Sequence, residues 1–142
     1  MVRPVGNRAS IERVEPREPD VLDRATQLAS RFAARAALHD REASFPFENF
    51  AELSEAGLLA LTVPAALGGG GAGARDAARI LGIFGKADPS TALVLAMHYI
   101  NHLVMAKGSR WPAHLARKLA RDAGRAAVCP PPPRGAPKPA GG

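Results

Sequence analysis

Cysteine, aromatic residues and long apolar runs are all scarce in this sequence. Cys129 is the single cysteine, which excludes an internal disulfide and favours a reducing, cytoplasmic setting. The longest unbroken apolar run, Ala92 to Met97, falls far short of the ~20 residues that a membrane-spanning helix needs. Residues 1–20 lack the apolar segment of a secretory signal. We therefore expect a cytoplasmic protein with no membrane partner.

The residues that are abundant favour helices. Of the 142 residues, 46% are hydrophobic and only 5% are aromatic. Alanine and leucine make up most of the apolar set, and both prefer helices to strands. The sequence predicts an all-α fold, a helical bundle of about five helices over residues 20–128. Residues 1–19 are predicted to form a flexible arm, and residues 129–142, which are rich in proline and glycine, a disordered tail.

Apolar residues recur at three- and four-residue steps, the period of an amphipathic helix. We expect helices over about 20–39, 46–56, 74–87 and 89–106, and a fifth that opens at Trp111-Pro112. The predicted inward face of the first helix comprises Val21, Ala25, Leu28, Phe32, Ala36 and His39, and that of the second helix Phe47, Phe50, Leu53 and Ala56. The third helix is predicted to face inward through Ala77, Ile80, Leu81 and Phe84, and the fifth through Leu115, Leu119, Ala123 and Ala126. The fourth helix is apolar almost all round. It is therefore expected to be the most buried, either central or covered by another domain.

Asp88-Pro89 supplies a strong helix start, with Asp as N-cap and Pro in the first turn. Gly57 is well placed to end the second helix. Residues 67–73 form a glycine-rich segment without the Gly-Lys-Ser/Thr of a P-loop or the spacing of a dinucleotide-binding turn. These residues therefore predict a flexible turn rather than a phosphate site.

The net charge of +6 is concentrated near the carboxyl end. Six lysines and arginines stand against one acid, Asp122, between Lys107 and Arg125. Such a segment either is a solvated helix face or binds phosphates of a nucleic acid or nucleotide. It lacks aromatic stacking residues and any groove-reading motif, so we do not expect a nucleic acid partner.

No self-contained catalytic site is evident, and none is predicted. Cys129 has no histidine nearby in sequence to activate it, no serine lies in a G-x-S-x-G elbow, and no Cys/His cluster has zinc spacing. His98 and His102 share a face of the fourth helix, but the Glu of an H-E-x-x-H metal motif is missing. Three interpretations stay open for this pair: hydrogen-bonded core histidines, a ligand pocket, and, least favoured, a metal site.

One stretch resembles a known family. A helix ending in Glu55-Ala56-Gly57-Leu58, the link Leu61-Thr62-Val63-Pro64 and the turn at residues 67–71 resemble the amino-terminal domain of acyl-CoA dehydrogenases. Ala87-Asp88-Pro89-Ser90-Thr91 is similar to the start of that domain's central helix. Order and spacing agree over roughly residues 20–128.

This resemblance implies a three-domain flavoprotein that dehydrogenates acyl-CoA thioesters with FAD and forms a homo-oligomer when complete. Most FAD contacts and the usual catalytic glutamate belong to the later domains. The amino-terminal domain helps to wall the acyl and flavin pocket, which makes Ala96, Met97, His98 and His102 the candidate pocket residues.

The proline-rich tail stands where the family's middle domain is expected to follow. We therefore expect a truncated domain that does not hold FAD and is inactive alone. Two alternatives remain. Some proteins that resemble the dehydrogenases are flavin monooxygenases acting on small organic substrates, with a histidine on this helix, and His98 is compatible with that group. The alternative from another class is a small basic helical binding protein.

Overall fold

The computed structural model describes residues 18–108 and 112–123, and every regular element within them is helical. The helices are α1 Glu18–Glu42, α2 Phe47–Glu55, α3 Ala74–Ala87, α4 Pro89–Lys107 and α5 Ala113–Ala123, with a 3₁₀ turn at Ala65–Leu67. The prediction of an all-α fold with five helices is confirmed. Residues 1–17 and the predicted tail, 129–142, lie outside the described residues.

Local signals place most helix ends. The Asp88 side chain accepts hydrogen bonds from the backbone N–H groups of Ser90 and Thr91, which confirms it as the N-cap of α4. Gly57 follows the end of α2 with φ +72°, a conformation that disfavours residues with a Cβ. Pro46 is the N-cap of α2 rather than part of its first turn.

The core lies where α3 packs against both α1 and α4. The rings of Phe32 and Phe84 stack there with centroids 5.2 Å apart. The predicted inward faces of the first three helices are confirmed as buried or half-buried. The buried core comprises Ala25, Leu28, Ala29, Phe32, Phe50, Leu53, Leu58, Leu59, Leu61, Ala77, Ile80, Phe84, Ala92, Leu95 and Tyr99.

The segment between α2 and α3 consists of a mostly buried link, residues 58–65, and a tight turn at residues 68–72, which we name the glycine turn. Residues 68–72 each donate their backbone N–H to a backbone carbonyl of residues 60–65. A Cβ at Gly69 would collide with Val63, and one at Gly70 would lie 2.7 Å from the Leu61 carbonyl oxygen. The glycines therefore allow the chain to fold back closely on the link, in a turn more ordered than the flexible one predicted.

The expectations about the burial of the fourth and fifth helices are met in part. The fourth helix has five buried residues, more than are described for any other helix, but only one side of α4 packs on the core and several large apolar side chains face outward. On the fifth helix Ala123 is buried as predicted, Leu115 and Leu119 are exposed, and Ala126 lies outside the described residues. Ala120 and Ala123 pack against Val63, because these small side chains bring the helix close to the link.

Candidate functional site

The polar side chains of α4 attach that helix to the link before the glycine turn. Tyr99 donates its hydroxyl hydrogen to the Leu58 carbonyl oxygen at 2.7 Å, and His98 Nε2 lies 2.9 Å from the Leu59 carbonyl oxygen. A carbonyl can only accept, so His98 carries its hydrogen on Nε2 and its Nδ1 is an acceptor. Burial raises the pKa of Tyr99 above its ordinary value, which keeps it a hydrogen-bond donor.

His98 and His102 lie together one turn apart. Their ring centroids are 4.4 Å apart and the rings meet edge to face. Burial lowers the pKa of His98, against the opposing effect of its bond to Leu59. Burial, and then repulsion from His98, lowers the pKa of His102 to about 4. Both rings are therefore neutral at pH 7, and the buried His102 Nδ1 has no hydrogen-bond partner among the described residues.

The four candidate pocket residues do not share one surface. His98 and His102 form the ring pair beside the link, with His98 half-buried and His102 buried. Met97 points outward and is 55% exposed. Ala96 is half-buried and, two residues before His98, lies about 200° around the helix from it. The structure thus brings the histidines together and places Met97 on a different face.

An exposed apolar surface runs along the outward side of α4. We name this the α4 face and define it as Leu93, Met97, Ile100 and Val104, which are 66%, 55%, 49% and 60% exposed. No Asp, Glu, Lys or Arg occurs from Pro89 to Ala106. The α4 face can therefore contact apolar atoms but offers no charge to bind an ionic group and no carboxylate to act as a base.

A buried polar cluster at the start of α4 was not found in the sequence. The Asn49 amide donates to Asp88 Oδ2 at 3.1 Å and to Thr91 Oγ1 at 3.0 Å, and the Thr91 hydroxyl donates to Asp88 Oδ2. All three residues are buried. The cluster joins α2 to the first turn of α4. The sequence signal that could have indicated this cluster is an asparagine, Asn49, between Phe47 and Phe50 on a helix predicted to face the core.

The described residues contain no group of three His, Cys, Asp or Glu side chains that could hold a metal ion. Within the same ranges, no helix combines the length and apolar character needed to cross a membrane. The basic α5 exposes Arg117, Lys118 and Arg121, and Lys118 pairs with Asp122 at 2.9 Å one turn later. In this part of the chain the basic segment presents a largely solvated surface.

Comparison with known proteins gives one family. Residues 16–121 match the family described as the acyl-CoA dehydrogenase N-terminal domain. YdbM of Bacillus subtilis, provisionally assigned as an acyl-CoA dehydrogenase, is 29% identical over 107 residues, covering 75% of this chain and 28% of that protein. No solved structure matches the chain.

The names of two further relatives describe different reactions. L-evernosamine nitrososynthase of a Micromonospora species is 35% identical over 116 residues, covering 77% of this chain and 28% of the relative. The NADH-dependent acryloyl-CoA reductase of Anaerotignum propionicum is 38% identical over 61 residues, covering 43% of this chain and 16% of the relative. The chain thus spans about a quarter of the length of the first two relatives. The family match covers most of the chain and coincides with the helices described above, so the chain belongs to the acyl-CoA dehydrogenase family and holds its amino-terminal helical domain.

Proposed function

We propose that this domain forms one wall of the acyl and flavin pocket of an FAD-dependent oxidoreductase that acts on acyl-CoA thioesters. The observation that carries this proposal is the α4 face, an uncharged apolar surface on the outside of the domain. Burying a leucine side chain contributes ~1.5–3 kcal/mol, so leaving four large apolar side chains in water is costly. A pocket for an apolar acyl chain would cover them.

The described residues fit a wall for FAD but not the site that holds it. FAD carries a diphosphate, and protein loops bind diphosphates through free backbone N–H groups. In the glycine turn, the N–H groups of residues 68–72 are all bonded to carbonyls of the link. The phosphate-binding groups would therefore come from outside this turn, and we derive no chemical step through FAD.

Within this proposal the residues of α4 have separate parts. FAD, when bound, would accept electrons from the substrate. Met97 and its neighbours on the α4 face would exclude water from the acyl chain, which strengthens electrostatic interactions inside a pocket. The His98 bond to Leu59 and the Tyr99 bond to Leu58 would hold this wall against the link.

A related flavin monooxygenase is the second candidate. Two observations favour it: the 35% identity to L-evernosamine nitrososynthase, whose name describes synthesis of a nitroso product, and the neutral His98–His102 pair beside the link. A neutral imidazole can hydrogen-bond to a polar substrate group, which a purely apolar wall cannot do.

Domain replacement tests whether this domain forms a pocket wall, and it distinguishes the acyl-CoA oxidoreductase from the flavin monooxygenase. Residues 20–123 would replace the aligned segments of YdbM and, separately, of the nitrososynthase. For each hybrid we would measure FAD retained through purification, acyl-CoA-dependent reduction of a dye, and product formation from L-evernosamine. We expect the YdbM hybrid to retain FAD and reduce the dye; activity in the nitrososynthase hybrid alone would support the monooxygenase instead.

The same hybrids test whether the α4 face is the wall. Met97→Glu would place a charge against the acyl chain and should lower kcat/KM at least tenfold. Leu38→Glu is the matched control, since Leu38 is 45% exposed on α1, and it should leave the rate unchanged. Equal rates for the two variants in an active hybrid would show that the α4 face does not line the pocket.

A further inference from the structure

Three side chains at the corner between α1 and α2 form a chain of hydrogen bonds. His39 Nδ1 lies 2.8 Å from Ser44 Oγ, and His39 Nε2 lies 2.9 Å from Glu48 Oε1. Burial opposes the shift, but hydrogen bonds from its own backbone and from His39 lower the pKa of Glu48, so this carboxylate is ionised at pH 7. A carboxylate can only accept. In the neutral ring, His39 Nε2 therefore carries the hydrogen, and Nδ1 accepts the hydrogen of the Ser44 hydroxyl.

This order of groups is that of a nucleophile, a base and a third group that orients the base. The two ring nitrogens are used in the reverse order of the serine protease triad, but either nitrogen of a neutral imidazole can accept a proton while the other donates. Only 15% of the His39 side chain is exposed, whereas Ser44 is open to solvent. A substrate can therefore reach the hydroxyl while the base stays largely shielded.

Ser44 lines a small cavity with room for part of a substrate. Its volume is about 180 Å³. Sites for drug-sized ligands occupy ~300–1,000 Å³, so this cavity admits a small acyl group. Asp40 and Asp88 also line it. Their negative charge disfavours an anionic substrate, so the cavity fits the acyl end of a neutral ester or thioester.

The backbone on either side of Ser44 has the features of a nucleophile turn. In the described part of the chain, Ala43 is the one non-glycine residue with a positive φ, +48°. Residues in such sparsely populated conformations are concentrated at active sites. The N–H of Phe45, directly after the serine, donates to no backbone carbonyl of the described residues. The N–H after the nucleophile is also the one that stabilises the oxyanion in a nucleophile elbow.

We propose that Ser44 is a nucleophile that takes the acyl group of a small neutral ester or thioester. Ser44 Oγ bonds to the carbonyl carbon while its proton moves to His39 Nδ1. The bond from that carbon to the leaving oxygen or sulfur then breaks, and the leaving group takes the proton from His39. The products are an acyl ester of Ser44 and an alcohol or thiol, and Glu48 positions the ring. This inference goes beyond the proposed function and uses no residue of the α4 face.

Acetylation of the 142-residue chain by p-nitrophenyl acetate tests the proposal. We expect one acetyl group at Ser44, located by mass spectrometry of peptides. Ser90 is the matched control, because it is exposed and lines the same cavity, and among the described residues no histidine bonds to its hydroxyl. Ser44→Ala should abolish the label, and Ser90→Ala should leave it unchanged. Equal acetylation of the two serines, or a label on lysines alone, would overturn the proposal.

Variants of the other two residues separate activation of Ser44 from a purely structural role. His39→Gln removes the base and should slow acetylation of Ser44 about a hundredfold. Glu48→Gln should slow it roughly tenfold, and Glu48→Asp, which keeps the charge, should restore most of the rate. If His39→Gln is acetylated at the wild-type rate, Ser44 reacts only as an exposed hydroxyl and the proposal fails. Neither FAD nor the α4 face takes part, so this outcome is independent of the hybrids.

Discussion

Asn49 has a structural role that only the folded chain reveals, because its hydrogen-bond partners are distant in sequence. Its side chain is completely buried, and its amide hydrogens satisfy a carboxylate and a hydroxyl at the start of α4. The sequence indicated that Asp88 caps α4, since that signal lies within three residues. The bond from Asn49 spans 39 residues, and no local pattern specifies it.

Replacing Asn49 should be far more costly than replacing an exposed asparagine. Asn49→Ala removes the amide donor that the buried Asp88 carboxylate and the Thr91 hydroxyl share, leaving only the hydrogen bonds within the first turn of α4, a loss of about 2–3 kcal/mol. Asn101→Ala on the solvent side of α4 should stay within ~0.5 kcal/mol. Urea unfolding of both variants measures the difference. Similar midpoints would mean that the cluster contributes little to the attachment of α2 to α4.

The histidine pair should make stability fall as the pH falls. The pKa of His102 is about 4 in the folded chain against an ordinary 6.5, so the unfolded chain binds protons more readily below pH 6.5. Stability is complete above that pH and is lost as the pH falls from 6.5 toward 4. The loss between pH 7 and pH 5 is about 2 kcal/mol from His102, and the lowered pKa of His98 acts in the same direction.

Unfolding measured at pH 7 and pH 5 for His102→Gln tests this directly. The variant should lose most of the pH dependence whatever its absolute stability. His114→Gln is the matched control, since His114 lies exposed on α5, and it should keep the wild-type dependence. If His102→Gln shows the full wild-type dependence, the acid sensitivity arises elsewhere in the chain.

At the scale of helices, the sequence predicted the positions of the helices better than it predicted the residues through which they pack. Period and capping located all five helices, and the inward faces of α1, α2 and α3 were correct because each has one clear apolar stripe. For α4 the pattern was apolar all round and could not tell which side faces the core. For α5 the prediction of Ala123 was correct, but the close approach to Val63 buries Ala120 rather than the predicted Leu115 and Leu119.

The glycine turn is the element where a single methyl group should matter most. Gly69→Ala would force its Cβ into Val63, which is itself buried in the link, and we expect a loss of about 2–3 kcal/mol. Gly85→Ala, inside α3 with open space around it, should instead stabilise by ~0.5–1 kcal/mol. Thermal unfolding measures both effects: the midpoint should fall for Gly69→Ala and rise for Gly85→Ala. A neutral Gly69→Ala would show that the turn has room to move away from the link.

At the scale of the whole molecule, the candidate site was predictable only through resemblance. Composition and periodicity gave a helical domain with a conspicuous fourth helix but no reaction. The resemblance supplied the family, which the match over residues 16–121 confirms, and it directed attention to residues 96–102. It did not specify that His98 binds the Leu59 carbonyl or that Met97 lies on another face. Those contacts depend on how the link folds against α4.

The last prediction concerns FAD and the chain alone. Without further domains, we expect the 142-residue protein neither to retain FAD nor to reduce a dye with acyl-CoA. The N–H groups of the glycine turn are occupied, and α4 carries no carboxylate that could remove a proton. Positioned groups of this kind provide most of the rate enhancement of an enzyme.

Equilibrium dialysis against FAD and a dye-reduction assay measure both parts of this prediction, with intact YdbM as the positive control. Free FAD should distribute equally across the membrane when this chain is present. Stoichiometric retention with turnover would show that this chain itself supplies the phosphate-binding and catalytic groups. The α4 face would then be the wall of a pocket that the chain completes alone.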